Sequence, residues 1–422
     1  MAELFCIEAS AKTGENVKEI FTRLACALLE QKRAKREHES PNASFFLSNI
    51  FRSNPTHLDL CAVEIDAAAA EILVRELKKD TFSLFSLNLS EQKEIGQKGF
   101  LSISRVLKKN TSLTVLKLRR CELGSERFLQ SLPIDNRVDS PIPSCWVNQI
   151  ICNVLQNESL RVLELERNHL DEEAGDLIGE LIKSHLSLTQ LDLSSNMLEG
   201  RGGQTIARAL RTNTSLTDLN LSWCQLDPMP FLSALSTSLR HHHSSSGLSS
   251  LVLVGINLGG GSGAVPHLRD ILTHCTSLLS LDLSNNFFID EEGEEIFSSF
   301  DTRKSGNSLR RLSILSNTRY DGCFGEKTAR AVAQLLLHNT SLTSLHVDGL
   351  FAPEAVIDIE VALQYNSSLT DLLLSPRYTH LEFCALTFRN RENMLKKSQL
   401  LFSLLWGSDV IVNSVRNAAL NQ

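Results

Sequence analysis

Paired cysteines are missing from this chain. Its ten cysteines are Cys6, Cys26, Cys61, Cys121, Cys145, Cys152, Cys224, Cys275, Cys323 and Cys384, and no two of them form a C-x-x-C. Zinc and thioredoxin-like chemistry therefore have no support. Thiols dispersed through 422 residues fit buried, reduced cysteines better than a disulfide framework. A basic excess is missing too. The net charge of −7 offers no positive field to nucleic acid or to an anionic membrane. No run of about 20 apolar residues occurs, so no membrane span is expected. The opening MAELFCIEAS lacks the basic region and long apolar run of a secretory signal, and the closing NAALNQ holds no cysteine for prenylation. Nothing resembles G-x-x-x-x-G-K-[ST], so no phosphate cradle is expected. These absences imply a cytoplasmic, monomeric protein without cofactor or metal, and with no nucleic-acid partner.

What is present is a repeat. The phrase S-L-x-x-L-x-L appears as SLFSLNL (83–89), SLTVLKL (112–118), SLRVLEL (159–165), SLTQLDL (187–193) and SLTDLNL (215–221). It returns as GLSSLVL (247–253), SLLSLDL (277–283), SLRRLSI (308–314), SLTSLHV (341–347) and SLTDLLL (368–374). Most steps are 27 to 33 residues, and the one 47-residue step contains the Pro-rich insertion PIDNRVDSPIPSCW (133–146). Ten copies are beyond chance.

One unit is legible from its periodicities. L-x-x-L-x-L alternates at period two, so its leucines point one way from a short strand. Three residues past the last strand apolar stand Cys121, Asn168, Asn196, Cys224, Asn286 and Asn317. An asparagine there can satisfy backbone groups of the neighbouring unit. A helix follows: Ile206, Ala209 and Leu210 share one face, as do Ala329, Val332, Ala333 and Leu336. Neither strand nor helix can bury its apolar side alone, whereas stacked units bury both in one core.

These phrases resemble the leucine-rich repeat family, in its ribonuclease-inhibitor-like class, over about positions 80 to 378. The resemblance implies an α/β horseshoe with a parallel sheet inside and helices outside. A degenerate first unit is expected from Pro55, and 253-LVGINLGGG-261 and 347-VDGLFAP-353 depart from the asparagine pattern. The tail at 379–409 breaks the repeat and reads as a helical cap.

The front of the chain differs. In FCIEASAKTGENVKEIFTRLACALLEQ (5–31), Asn16 and Glu19 form a capping box, and Val17, Ile20, Phe21, Leu24, Ala25 and Leu28 make an amphipathic helix. Glu8-Ala9-Ser10-Ala11-Lys12 resembles the guanine-contacting loop of Rab-family GTPases, which implies a guanine contact at Ser10, Ala11 and Lys12. With no N-K-x-D and no phosphate loop, independent GTP binding is not expected. The organisation expected is a Rab-like fragment at 1–30, a linker at 31–54, repeats at 55–378 and a helical cap at 379–422.

Several motifs have plain readings. Of seven N-x-[ST] triplets, those at Asn110, Asn157, Asn213, Asn339 and Asn366 belong to the N-x-S-L phrase and read as turn residues. HHHSSSG (241–247) reads as a loop between units, and GGGSG (259–263) as a flexible turn lacking the Lys of a phosphate loop. KRAKR (32–36) reads as a solvated helix end. No catalytic triad is marked.

The informative positions are the outward residues of each strand. Inside L-x-L stand Lys117, Glu164, Asp192, Asn220, Val252, Asp282, Ser313, His346 and Leu373. Two positions on stand Arg119, Glu166, Ser194, Ser222, Val254, Ser284, Leu315, Asp348 and Ser375. Lys117, Arg119, Glu164, Glu166, Asp192, Asn220, Asp282 and His346 are the candidate partner-binding residues. Trp223 joins them either as an exposed anchor or as a side chain packed on its neighbouring turn. The function expected is non-enzymatic binding of a protein partner on the concave face, with a small GTPase as one candidate. Two alternatives stay open. One is activation of a small GTPase, since Ran GTPase-activating proteins resemble this class of repeat. The other is a truncated Rab-like GTPase fused to repeats, whose phosphate loop would lie upstream.

Overall fold

The structure, a computed structural model, describes residues 43–61, 63–79, 84–124, 143–183, 185–240, 247–300, 308–315, 324–349, 351, 353–374, 390 and 392. The chain divides into two compact units, Met1–Asn54 and Pro55–Gln422. In the first, helix α1 (Ala43–Arg52) lies within the stretch expected as linker. Ser10, Ala11, Lys12 and the remaining Rab-like fragment lie outside the described residues.

The second unit is built on eleven parallel strands in one sheet, ordered as in the chain. They are β1 (His57–Asp59), β2 (Ser86–Asn88), β3 (Val115–Lys117), β4 (Val162–Glu164), β5 (Gln190–Asp192) and β6 (Asp218–Asn220). β7 (Ser250–Val252), β8 (Ser280–Asp282), β9 (Arg311–Ile314), β10 (Ser344–Val347) and β11 (Asp371–Leu374) continue it. β1 is the strand of the degenerate first unit. The register sets leucine opposite leucine, from Leu58 through Leu87, Leu116, Leu163, Leu191, Leu219, Leu251, Leu281, Leu312 and Leu345 to Leu372. All but Leu372 are buried. Each such burial stabilises by about 1.5–3 kcal/mol. This is the α/β leucine-rich-repeat solenoid expected from the phrases.

Parallel neighbours need a crossover, and helices provide it here. They are α2 (Ala67–Leu77), α3 (Gly96–Leu107), α4 (Pro143–Leu155), α5 (Glu172–Ile182) and α6 (Glu199–Ala209). α7 (Pro228–Arg240), α8 (Val265–His274), α9 (Asp290–Ser298), α10 (Glu326–His338) and α11 (Pro353–Tyr365) complete the set among the described residues. Asp66 and Asp171 cap α2 and α5, their carboxylates accepting from Ala69 N–H at 2.8 Å and Ala174 N–H at 2.9 Å. Ile206, Ala209 and Leu210 are buried, as are Ala329, Val332, Ala333 and Leu336. Small residues set the closest helix contact. A β-carbon on Gly179 of α5 would meet the Thr205 backbone at 2.7 Å, and one on Gly202 of α6 would meet the Glu172 carbonyl at 2.8 Å.

Two ladders of buried side chains join the units. At the strand exits, Asn196 Nδ2 donates to the Leu193 carbonyl at 2.7 Å and, in the preceding unit, to the Leu165 carbonyl at 3.0 Å. Its Oδ1 accepts from Asn168 N–H at 2.9 Å and Leu170 N–H at 3.1 Å. Asn168 and Asn286 repeat this, and the Cys121 and Cys224 thiols donate to the Leu89 and Leu193 carbonyls. Burial pushes both thiols up to about 12, so neither is a nucleophile at neutral pH. In the second unit the rung is Gln92, which donates to Leu60 O at 2.6 Å.

The other ladder lies where helices turn into strands. Asn213 Nδ2 reaches back to Ile182 O at 2.6 Å and His185 O at 3.0 Å, while its Oδ1 accepts from Ser215 and Leu216 N–H. Asn157 and Asn366 do the same. These are residues of the N-x-S-L phrase, buried with their amides engaged. Asn390, in the segment expected as cap, donates to Asn366 O at 3.1 Å and Leu369 O at 2.7 Å. The ladder therefore extends past β11. Apart from Glu392, the remainder of that segment lies outside the described residues, as do Asn317, His241–His243 and most of the 133–146 insertion.

Asn196→Leu keeps the branched shape but leaves buried backbone groups unpaired. It is expected to cost about 2–5 kcal/mol in urea unfolding. His185 holds an asparagine position in the second ladder, and its Nδ1 accepts from Leu188 N–H at 3.1 Å, which requires the neutral ring. Burial lowers its pKa. As pH falls past the ordinary histidine value of about 6.5, the unfolded chain takes up the proton first, so stability present above that pH is lost. His185→Asn is expected to flatten that acid-side loss in midpoints measured between about pH 7 and about pH 5.

Candidate functional site

The sheet register lays the outward side chains in rows. Asn88, Lys117, Glu164, Asp192, Asn220, Val252, Asp282, Ser313, His346 and Leu373 follow one another across the concave face. The structure thus brings most of the candidate partner-binding residues onto one surface, though they differ in what they do there.

At one end the charges hold each other. Glu164 takes Lys117 Nζ at 3.1 Å and Arg119 Nε at 2.7 Å, while Arg119 also reaches Glu166 at 3.5 Å. The 2.7 Å approach lacks hydrogen-bond alignment, since Arg119 Nε and Glu164 Oε2 are both buried without a hydrogen-bond partner. Attraction supplies that contact rather than a directed bond.

In the middle, one oxygen of each polar side chain serves the backbone. Asp192 Oδ1 accepts from Ser194 N–H at 2.9 Å and Ser194 Oγ at 2.6 Å, Asn220 Oδ1 from Ser222 N–H at 3.0 Å, and Asp282 Oδ1 from Ser284 N–H at 2.9 Å. Ser194, Ser222 and Ser284 are buried rather than presented outward. Ser222 and Ser284 hydroxyls accept from Val254 and Leu315 N–H of the next unit. Asp192, Asp218 and Asp282 keep their second oxygens, with no ion pair among the described residues. A depression of about 250 Å³ lies over this stretch, lined by Glu164, Asp192, Asp218 and Asn220. Towards the last strands His346 Nε2 and Ser344 Oγ both meet Asp371 Oδ2 at 2.8 Å.

Beyond the strand ends lies a row that strand alternation does not reveal. Strands β2 to β8 each exit through a left-handed residue: Glu91, Arg120, Arg167, Ser195, Trp223, Gly255 and Asn285, with φ between 54° and 67°. Their N–H groups bond the next unit in turn, Trp223 to Val254 O at 2.7 Å and Gly255 to Ser284 O at 3.0 Å. A side chain in that region costs about 1–2 kcal/mol against glycine. Trp223 meets both readings of it. It lies on the turn at Gly255, where a β-carbon would come within 2.4 Å of the indole, and it is still 52% exposed. Beside it a depression of about 570 Å³ is lined by Lys93, Arg120, Glu122, Arg167, His169, Ser195 and Trp223. Lys93, Arg120, Arg167 and His169 were not among the sequence candidates. The signal for Arg120 and Arg167 was the second residue after the last strand leucine, where Arg, Arg, Ser and Trp stand in successive units; Lys93 and His169 stand two residues further on in their units.

GGGSG is no free phosphate loop. Gly260 and Gly261 N–H groups donate to the Glu292 carboxylate at 3.0 and 2.9 Å. No group of metal-ligating side chains occurs among the described residues. Among them, no helix is long and apolar enough to cross a membrane.

Comparison with known proteins fits this architecture. A family model for the Leucine Rich repeat matches residues 109–126, 184–207, 212–228 and 274–293, spanning β3, β5 with α6, β6, and β8. The chain therefore carries leucine-rich repeats. No curated protein matches it in sequence. Among solved structures it is similar to a chain of the Rad7 and Elc1 complex in yeast, at 13% identity and a TM-score of 0.38, covering 89% of this chain and 97% of that one. It is also similar to the tropomodulin C-terminal domain of Caenorhabditis elegans, at 12% identity and a TM-score of 0.28, covering 55% and 97%. Likeness at these scores carries no inference about function.

Gly255→Ala tests the seat of the indole. It is expected to displace Trp223, raise acrylamide quenching of the fluorescence lost in Trp223→Phe, and destabilise by about 1–2 kcal/mol.

Proposed function

We propose that this protein is a non-enzymatic interaction module, which binds a partner protein along the concave side of its solenoid. The observation that carries this is the in-register row from Lys117 to His346, in which Asp192 and Asp282 each retain a carboxylate oxygen, joined by Asp218 of the neighbouring row on the same sheet. Such a surface recognises by complementarity over several units, and its stiffness lowers the entropic cost of binding. The units, each a strand and a helix in roughly thirty residues, are best read in the ribonuclease-inhibitor-like class, and the protein as cytoplasmic.

A small GTPase is the finer proposal for the partner, supported by the likeness of Glu8–Lys12 to a guanine-contacting loop. GTPase activation remains the second reading. A panel of purified small GTPases, scored for binding and for stimulated hydrolysis, separates them. Binding without stimulation is expected. Stimulated hydrolysis would replace the binding reading by the catalytic one, and no binding would remove the GTPase proposal. For the partner so captured, Asp192→Lys with Asp282→Lys is expected to weaken capture at least about tenfold with the circular dichroism spectrum intact. Undiminished capture would place the interface off the strand face.

A further inference from the structure

The strand-exit rim invests in side chains where the backbone favours none. Left-handed φ is met by Gly255 and Asn285 in the later units, but by Glu91, Arg120, Arg167, Ser195 and Trp223 in the earlier ones. Strain kept at consecutive positions points to a surface whose side chains are used. We propose that this rim docks an acidic segment of the partner protein, carrying an aspartate or glutamate beside an apolar side chain. The proposal rests on the reading of the chain as a protein-binding module and names the chemistry of what it binds.

The charge arrangement favours carboxylates. Lys93 is held closely by Glu122 at 2.6 Å. Arg120 and Arg167 are held loosely, each touching one carboxylate, Glu91 at 3.4 Å and Glu166 at 3.5 Å, and both are about half exposed. A guanidinium with five donors engaged once at such a distance keeps its fork open for a bidentate carboxylate. His169 is exposed in the same depression. Trp223 closes one end, with Met197 also exposed on the adjoining turn. A basic segment would meet these cations unfavourably, whereas an acidic one replaces weak internal pairs with aligned ones.

Spacing sets the pattern to expect. Arg167 and Trp223 leave strands β4 and β6, two sheet spacings or about 10 Å apart. An extended peptide covers that in about three residues, so the carboxylate and the apolar side chain should be three apart or nearly so.

The test is selection of displayed random dodecapeptides on the full chain, followed by fluorescence polarisation with the enriched sequences. Peptides pairing Asp or Glu with Trp, Phe or Leu at that spacing are expected. Their affinity should fall about tenfold in Arg120→Glu, in Arg167→Glu and in Trp223→Ala, and stay unchanged in Arg208→Glu, at an exposed residue of α6 away from the sheet. Circular dichroism and urea midpoints verify that each variant is folded. Basic peptides whose binding depends on Asp192 would overturn the rim proposal while leaving a protein-binding strand face in place. Absence of any peptide that depends on Arg120, Arg167 or Trp223 would overturn it as well.

Discussion

A solenoid buries the corners of its own backbone, and the chain depends on how those corners are satisfied. Each strand exit and each helix-to-strand turn leaves amide and carbonyl groups too deep for water. Asn168, Asn196 and Asn286 at one corner, and Asn157, Asn213 and Asn366 at the other, answer both sides of a turn with one amide. Because each rung bonds the unit before it, no unit is complete alone. The leucine stripe supplies the larger share of the burial energy, but leucines would tolerate a slipped stack. The asparagines fix its register.

Most of this was legible beforehand because it is periodic. Leucines at alternating positions mark the strands, Ile206 to Leu210 and Ala329 to Leu336 mark helix faces, and N-x-S-L reads as a turn rather than a glycosylation site. The substitutions within the pattern were harder. Gln92 and His185 do an asparagine's work with different side chains, which only the geometry of their hydrogen bonds reveals. β1 was faint because its unit keeps just Leu58 and Leu60 of the phrase.

The candidate site was legible by position and less so by role. Alternation placed Asp192, Asn220 and Asp282 on the concave face. It gave no sign that each spends one oxygen on the serine two residues ahead. It also counted Ser194, Ser222 and Ser284 as outward residues, though they are buried, with Ser222 and Ser284 linking successive units. The rim is hidden from strand alternation because its rule is a different one. It follows from left-handed turns, and those become visible only when backbone angles are known. Trp223 could be both packed and presented because Gly255 leaves room for one face of the ring.

Photo-crosslinking tests most directly the claim that recognition belongs to the sheet side of the solenoid. A benzoylphenylalanine introduced at Ser313 or Asn220 would report the concave face, and one at Arg208 or Arg330 the exposed helix side. The account predicts covalent adducts to a discrete partner protein from the concave positions alone. Adducts from Arg208 and Arg330 with none from Ser313 and Asn220 would contradict it and move the binding surface to the helices.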